Sequence, residues 1–172
     1  MKLKCLSVNQ PYASAIIAGG KDIENRTWAA SYRGPLLIHA SANVARLRDD
    51  VLGWVRERWP GCPADAADFT LGKVIGIVTL DNCVDIASRA LSRWAEGPVR
   101  WLVSRPVALP AFPARGKPGL FEVDEREIPG EARRIIRAYA KGGPLPTPGP
   151  TTENRAVSSA RSRQPALFHT QG

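Results

Sequence analysis

A lysine, a glutamate and an arginine follow a pair of glycines near the start of the chain. The segment begins Gly19-Gly20-Lys21 and continues through Glu24 and Arg26. Because successive side chains of a strand point to opposite faces, Glu24 and Arg26 are predicted to share one face, about 7 Å apart. The glycines permit a tight turn, which places Lys21 at the mouth of any cleft beside that strand.

Three interpretations of this cluster are open. As a binding site, its cations would hold a phosphate while Glu24 keeps Arg26 in place. As a catalytic site, Lys21 desolvated beside Arg26 would act as a base or nucleophile, and Glu24 would move a proton. The third interpretation is a solvated ladder of surface ion pairs, which contributes less than about 1 kcal/mol to stability.

Aromatic side chains flank the cluster and are candidates for stacking on nucleobases. Tyr12 precedes it and Trp28 follows it, and a base stacked on such a ring contributes about 1–3 kcal/mol. The alternative is that both rings are packed in the protein. The remaining tryptophans are predicted to be core or rim residues, namely Trp54, Trp59, Trp94 and Trp101.

Other polar residues lie near the ends of predicted strands. Arg33 and Ser41 bracket an apolar strand and are predicted to reach a phosphate in the same cleft. His39, within that strand, is predicted to be a hydrogen-bonded core residue rather than a catalyst. Arg115 and Lys117 form a basic loop that is either a solvated turn or a second phosphate clamp.

Short strands and a few helices are predicted to carry these residues. Strands are predicted at 2–8, 22–27, 35–40, 72–83, 99–103, 107–109 and 119–123. Helices are predicted from Pro11 to the Gly19-Gly20 pair, from the capping residues Ser41 and Asn43 to about Trp59, at 85–97, and at 131–141. Gly76 predicts a bulge or a close approach of backbone. The pattern favours an α+β fold built on a small mixed β-barrel with flanking helices.

Residues 1–141 are predicted to form one domain, and 142–172 a flexible tail. The tail opens with a run of glycine and proline and continues with serine, threonine and arginine, a composition that does not pack into a core. A chain ending at Lys141 is therefore expected to fold. Nothing in the pattern predicts an oligomeric state.

The charge balance favours a polyanionic partner. The chain has 24 basic and 16 acidic residues, a formal charge of +8, and cations that neutralise phosphates release condensed counterions. The same excess also serves solubility. With no signal peptide and no apolar run of about 20 residues, the protein is predicted to be cytoplasmic and not membrane-bound.

The cysteine and histidine spacing predicts neither a metal site nor a cofactor. Cys5, Cys62 and Cys83 lie far apart, no two form a CxxC pair, and there are two histidines. Zinc sites of ordinary spacing need closer ligands. The thiols are predicted to be reduced and mostly packed.

The chain resembles the ASCH domain. The family signature G-x-K-x-x-E-x-R is met by Gly19, Lys21, Glu24 and Arg26. Further blocks fit in order over about residues 3–123, namely 10–13, 32–40, 74–78, 97–101 and 115–120. The resemblance implies a PUA-like barrel whose first helix and following strand wall a cleft. It also implies RNA-linked roles: RNA binding, RNA cleavage, or hydrolysis of acetylated cytidine.

The resemblance gives a set of candidate residues. Those expected to bind RNA or a modified nucleoside are Gln10, Tyr12, Lys21, Arg26, Trp28, Arg33, Ser41, Arg115 and Lys117. Lys21 and Glu24 are the catalytic candidates. The acetylcytidine hydrolases use a threonine three residues after the lysine, where this chain has Glu24. A binding module is therefore the primary prediction, with an amidohydrolase, a ribonuclease or a non-enzymatic interaction module as alternatives.

Overall fold

The computed structural model describes residues 1–86 and 92–142. In this part of the chain the strands are β1 (Lys2–Val8), β2 (Ile23–Arg26), β3 (Gly34–Ala40), β4 (Lys73–Asp85), β5 (Val99–Pro113) and β6 (Leu120–Asp124). The helices are α1 (Tyr12–Ala18), α2 (Asp49–Arg58) and α3 (Gly130–Ala140), with short 3₁₀ helices at Ala66–Asp68 and Glu125–Glu127. The predicted tail lies outside the described residues apart from Gly142.

The described strands form one mixed sheet of order β2-β5-β4-β3-β1-β6. β1 and β3 pair in parallel, and the other described neighbours are antiparallel. The predicted α+β class is confirmed, but the predicted barrel is not, because the terminal strands β2 and β6 do not pair and the sheet stays open. A side chain connects β2 to β1 instead: Arg26 Nη2 donates to Ser7 O at 2.7 Å.

β5 corrects the prediction of two separate strands. It continues through the expected break because Arg105 adopts a positive φ of 53° and the pairing with β4 shifts register between Ile77 and Thr79. Such a bulge bends a strand without ending it. The Arg105 guanidinium lies 4.5 Å from the centroid of the Tyr139 ring of α3.

The second helix also begins later than predicted. Ser41 and Asn43 do not cap it, because each side chain bonds the backbone two residues ahead: Ser41 Oγ accepts from Asn43 N at 3.1 Å, and Asn43 Oδ1 accepts from Ala45 N at 2.9 Å. These local turns compete with helix formation. The segment from 41 to 48 is therefore irregular. The predicted helix at 85–97 is also not observed where it is described, since Asp85 ends β4 and residues 92–98 form turns.

Gly76 lies at the close approach that its sequence position predicts. A Cβ there would stand 2.3 Å from Ile17 Cδ1 of α1 and 2.9 Å from Val107 O of β5, and the β4–β5 register shifts between Val74 and Gly76. The missing side chain lets α1 pack directly on the sheet. The turn that contains Lys21 then connects the end of α1 at Ala18 to the start of β2 at Ile23.

Candidate functional site

The turn after α1 places Lys21 inside the protein and not at the mouth of a cleft, where the sequence predicted it. Gly20 has a φ of +67°, the left-handed region that favours glycine, and the Lys21 amide donates to Ala15 O at 3.0 Å. Lys21 is 3% exposed. Its Nζ donates to Glu24 Oε2 at 2.9 Å and also to Ile23 O. The ammonium is thus held between the helix end and β2.

Glu24 connects two cations. Its other oxygen, Oε1, lies 3.2 Å from Arg26 Nε, while Arg26 Nη2 reaches Ser7 O. The Ser7 carbonyl is open to this bond because the pairing of β6 with β1 ends one residue earlier, at Leu6. Lys21, Glu24 and Arg26 form a chain of ion pairs with a formal charge of +1.

Burial separates this cluster from a surface ion-pair ladder. Glu24 is 7% exposed and Lys21 less, so the interpretation as a solvated ladder is wrong. A buried carboxylate with one cation on each oxygen has its charge fully partnered. The cluster is a rigid, positively charged floor rather than a set of mobile surface groups.

The cluster forms the floor of a cavity of about 390 Å³, here called the first cavity. It is lined by Ser7, Val8, Asn9, Tyr12, Lys21, Glu24, Asn25, Arg26, Arg46, Trp54 and Glu96. Three of these side chains are cationic and two are carboxylates. A ligand here meets positive charge together with hydrogen-bond acceptors, an arrangement suited to a polar group that carries both donors and a negative charge.

Two aromatic rings form one wall of the first cavity. Tyr12 and Trp54 meet edge to face with centroids 6.2 Å apart, and the Arg58 guanidinium lies 3.7 Å from the Trp54 centroid. Burial raises the pKa of Tyr12, so its hydroxyl stays protonated at neutral pH. Trp54 was predicted as a core or rim residue, because helical spacing alone does not reveal a ring that faces a cavity.

Glu96 and Arg46 are two cavity residues that the sequence analysis missed. Glu96 is held there by Asn25, whose Oδ1 accepts from the amides of Glu96 and Gly97 at 2.9 Å each. Arg46 projects from the irregular segment after β3, which had been predicted as helix. No distinctive spacing in the sequence marks either residue, because each lies in a connection of mixed composition.

Trp28, Gln10 and Arg33 do not line the first cavity. Trp28 packs edge to face on Trp101 with centroids 4.6 Å apart and is 36% exposed. Gln10 is fully buried and bonded to Ser14 and to the Thr70 carbonyl. Arg33 binds the carbonyls of residues 30 and 32 and the Asn82 side chain. These side chains have internal partners.

Ser41, Arg115 and Lys117 line a different cavity of about 510 Å³, here called the second cavity. Ser7 and His39 also line it. Residues 114–118 form its outer wall, and Ser7 contributes to both cavities. The predicted site residues are thus divided between two adjoining cavities, except for Gln10, Trp28 and Arg33, which line neither.

His39 fixes one wall of the second cavity. Its Nε2 lies 3.0 Å from Ala114 O and its Nδ1 lies 2.9 Å from Ser7 Oγ. A carbonyl only accepts, so Nε2 carries the proton and Nδ1 accepts from the Ser7 hydroxyl. Burial lowers the pKa of His39, against the opposing effect of hydrogen bonds to the Ala114 and Gly72 backbone. The neutral ring therefore joins β1, β3 and the 114–118 loop.

Residues 1–86 and 92–142 carry neither a cluster of metal-ligating side chains nor a helix that could span a membrane. No group of three or more His, Cys, Asp or Glu side chains in these ranges is arranged to hold a metal ion. None of the helices described has the length and apolar character needed to cross a bilayer. Cys5, Cys62 and Cys83 are free thiols, the first two of them buried.

Comparison with known proteins identifies relatives of this domain. Activating signal cointegrator 1 from Homo sapiens is 26% identical over 147 residues, which cover 77% of this chain and 24% of that protein. The Mus musculus protein of the same name is 24% identical over the same length. The chain therefore spans about a quarter of the length of these curated relatives.

Solved structures of ASCH from Zymomonas mobilis are also similar. The crystal structure covers 72% of this chain and 89% of its own, with a TM-score of 0.44 and 14% identity. A mutant form of that protein covers 74% and 94%, with a TM-score of 0.45 and 16% identity. The model of the ASCH domain matches residues 6–129. This chain belongs to the ASCH domain family.

Proposed function

We propose that this domain binds RNA through one nucleotide held in the first cavity. The observation that carries the proposal is the buried Lys21–Glu24–Arg26 chain, which holds fixed positive charge on the floor of that cavity. Fixed cations in a partly desolvated site attract phosphate more strongly than mobile surface cations do. A modified nucleoside would bind the same cluster through the polar groups at the edge of its base.

The walls of the cavity suit the other parts of a nucleotide. Tyr12 and Trp54 provide apolar ring surface for a base. Glu96 and the Asn9 side chain are positioned at the lining to bond polar edges. Arg46 is exposed at the mouth and forms no ion pair with a described residue. Its charge is therefore available to the backbone of a bound strand.

Arg46→Ser is the sharpest test because the side chain is exposed and its loss does not disturb packing. We expect weaker binding of a single-stranded RNA hexamer of mixed sequence, measured by fluorescence anisotropy. The slope of log K against log salt should fall by about 0.7 for one lost phosphate contact. Arg134→Ser is the matched control, an exposed arginine of α3 that lines neither cavity. Equal effects of the two variants would refute the proposal.

A second candidate function is hydrolysis of the bound group. It is favoured by the 2.9 Å contact of Lys21 Nζ with Glu24 Oε2, a direct path for a proton. Lys21→Arg separates the candidates, since arginine keeps the charge but does not act as a base. Products from acetylated cytidine and from mixed RNA would be followed by mass spectrometry. If the unmodified protein turns over either substrate and Lys21→Arg loses that turnover but still binds RNA, the protein is an enzyme. If the unmodified protein shows no turnover and Lys21→Arg still binds RNA, the binding module is favoured.

A further inference from the structure

The second cavity adjoins the first at a single residue. Ser7 turns its carbonyl toward Arg26 in the first cavity and its hydroxyl toward His39 in the second. The segment after β3 also serves both, because Ser41 and Asn43 line the second cavity and Arg46 lines the first. The two cavities therefore share Ser7 and are both lined by residues of this one segment.

The chemistry of the second cavity is that of an anion site. No carboxylate is among its lining residues, whereas two carboxylates line the first cavity. The oxygens of Ser41 and Asn43 already accept backbone amides, so the Ser41 hydroxyl proton and the Asn43 amide protons remain as donors. Together with Arg115 and Lys117, they present a set of donors and cations to one space.

The two cations at the rim have no carboxylate partner within residues 1–86 and 92–142. Arg115 and Lys117 are exposed and form no ion pair with a described residue. By contrast, Lys4 on the neighbouring strand is paired with Glu122 at 3.0 Å. A cation without a carboxylate partner keeps its full attraction for a phosphate.

The loop that carries these cations is held in a defined position. Gly116, between them, packs against the Ser7–His39 pair so closely that a Cβ would stand 2.7 Å from His39 Cε1 and 2.8 Å from Ser7 Oγ. His39 also binds the loop through Ala114 O. The rim is therefore pre-organised for an anion rather than assembled around one.

We propose that the second cavity binds the phosphate next to the nucleotide in the first cavity, so that the ligand is a single strand of at least two nucleotides. This inference rests on the proposed function and extends the ligand from one nucleotide to a single strand of RNA. The strand would pass over Ser7 and along residues 41–46, with its bases free of the second cavity. A free nucleoside or mononucleotide would fill the first cavity alone.

The test compares the mixed-sequence RNA hexamer with the four nucleoside 5′-monophosphates by titration calorimetry. The variant Arg115→Ser/Lys117→Ser removes both cations, and Arg134→Ser/Lys141→Ser is its matched control, with the same change of charge at exposed sites that line neither cavity. We expect the first variant to weaken hexamer binding at least about tenfold and lower the salt slope by about 1.4. Monophosphate affinity should change less than about twofold.

Gly116→Ala provides a second variant that keeps the charge. Its Cβ displaces the loop from His39, so hexamer binding should weaken while monophosphate binding persists. Equal losses for hexamer and monophosphate, or equal effects of both double variants, would overturn the inference. A hexamer that responds to Arg46→Ser but not to the loss of Arg115 and Lys117 would overturn it while the proposed function stands. If hexamer binding weakens in the loop variants but not in Arg46→Ser, the proposed function of the first cavity is wrong. The proposal that one RNA strand occupies both cavities is then wrong as well.

Discussion

Replacing Glu24 by glutamine tests the buried ion-pair chain most directly. The carboxylate places one oxygen 2.9 Å from Lys21 Nζ and the other 3.2 Å from Arg26 Nε. Glutamine has one carbonyl oxygen, so an NH₂ group must face one of the two cations. Lys21 is 3% exposed and has little water to replace the lost partner. The variant leaves an uncompensated positive charge inside the protein.

The magnitude follows from that burial. Breaking a buried ion pair by removing one partner lowers the free energy of unfolding by about 3–5 kcal/mol. Glutamine keeps one acceptor, so the lower figure of about 3 kcal/mol applies. In a chain of 172 residues, 1 kcal/mol shifts the melting temperature by about 2–4 °C. Glu24→Gln should therefore lower Tm by about 6–12 °C in a thermal melt followed by circular dichroism.

Glu122→Gln is the matched control, because Glu122 also connects two cations, Lys2 and Lys4, but on the surface. Its Tm should be nearly unchanged, since solvent screens exposed pairs. A second arm adds Lys21→Met to Glu24→Gln, which removes the unpaired charge and should recover part of the lost stability. Equal Tm shifts for Glu24→Gln and Glu122→Gln, or a further drop in the double variant, would refute the reasoning.

Three further predictions concern other parts of the fold. Cys83 should react with a maleimide in the native protein while Cys5 reacts only after unfolding, since burial raises the pKa of the Cys5 thiol; mass spectrometry of the labelled peptides checks the order. Burial holds the pKa of His39 below its usual 6.5, so as pH falls the unfolded chain binds a proton at this ring before the folded protein does. Stability should therefore fall as pH drops below about 6.5. A measurement of Tm against pH should show a smaller fall in His39→Gln. Gly76→Ala should lower the free energy of unfolding by about 1–3 kcal/mol in urea titrations, because its Cβ meets Ile17 and the β5 backbone.

The positions of most strands along the chain, and the buried face of α3, were predictable from local pattern. β1 matches its predicted range, and α3 differs from its range by one residue at each end, because alternation and helical spacing are strong in both. The break in β5 was predicted wrongly because the bulge at Arg105 lets the strand continue through residues 104–106. Whether a curled sheet closes depends on long-range pairing, which no local pattern contains.

The residues on the floor of the first cavity were predictable from the sequence, but the residues of its walls were not. Lys21, Glu24 and Arg26 lie within six residues, so one turn and one strand determine their arrangement. Trp54 lies in α2 and Glu96 in the connection before β5, both distant in sequence from the floor. Their positions depend on packing against Tyr12 and on bonds to Asn25. Ser7, which lines both cavities, is a small residue with no distinctive spacing, so the local pattern did not predict two cavities.

Ser7 also has a consequence for how the two cavities respond to each other. Its carbonyl and hydroxyl belong to one residue, so a displacement of β1 that lengthens the bond to Arg26 also changes the bond to His39. We therefore expect occupancy of one cavity to change the ligand affinity of the other. Such linkage is reciprocal. If a ligand in the first cavity changes the anion affinity of the second cavity by some factor, the anion changes the affinity of the first cavity for its ligand by the same factor. Ser7→Ala, which keeps the carbonyl and removes the hydroxyl, should reduce that factor toward one.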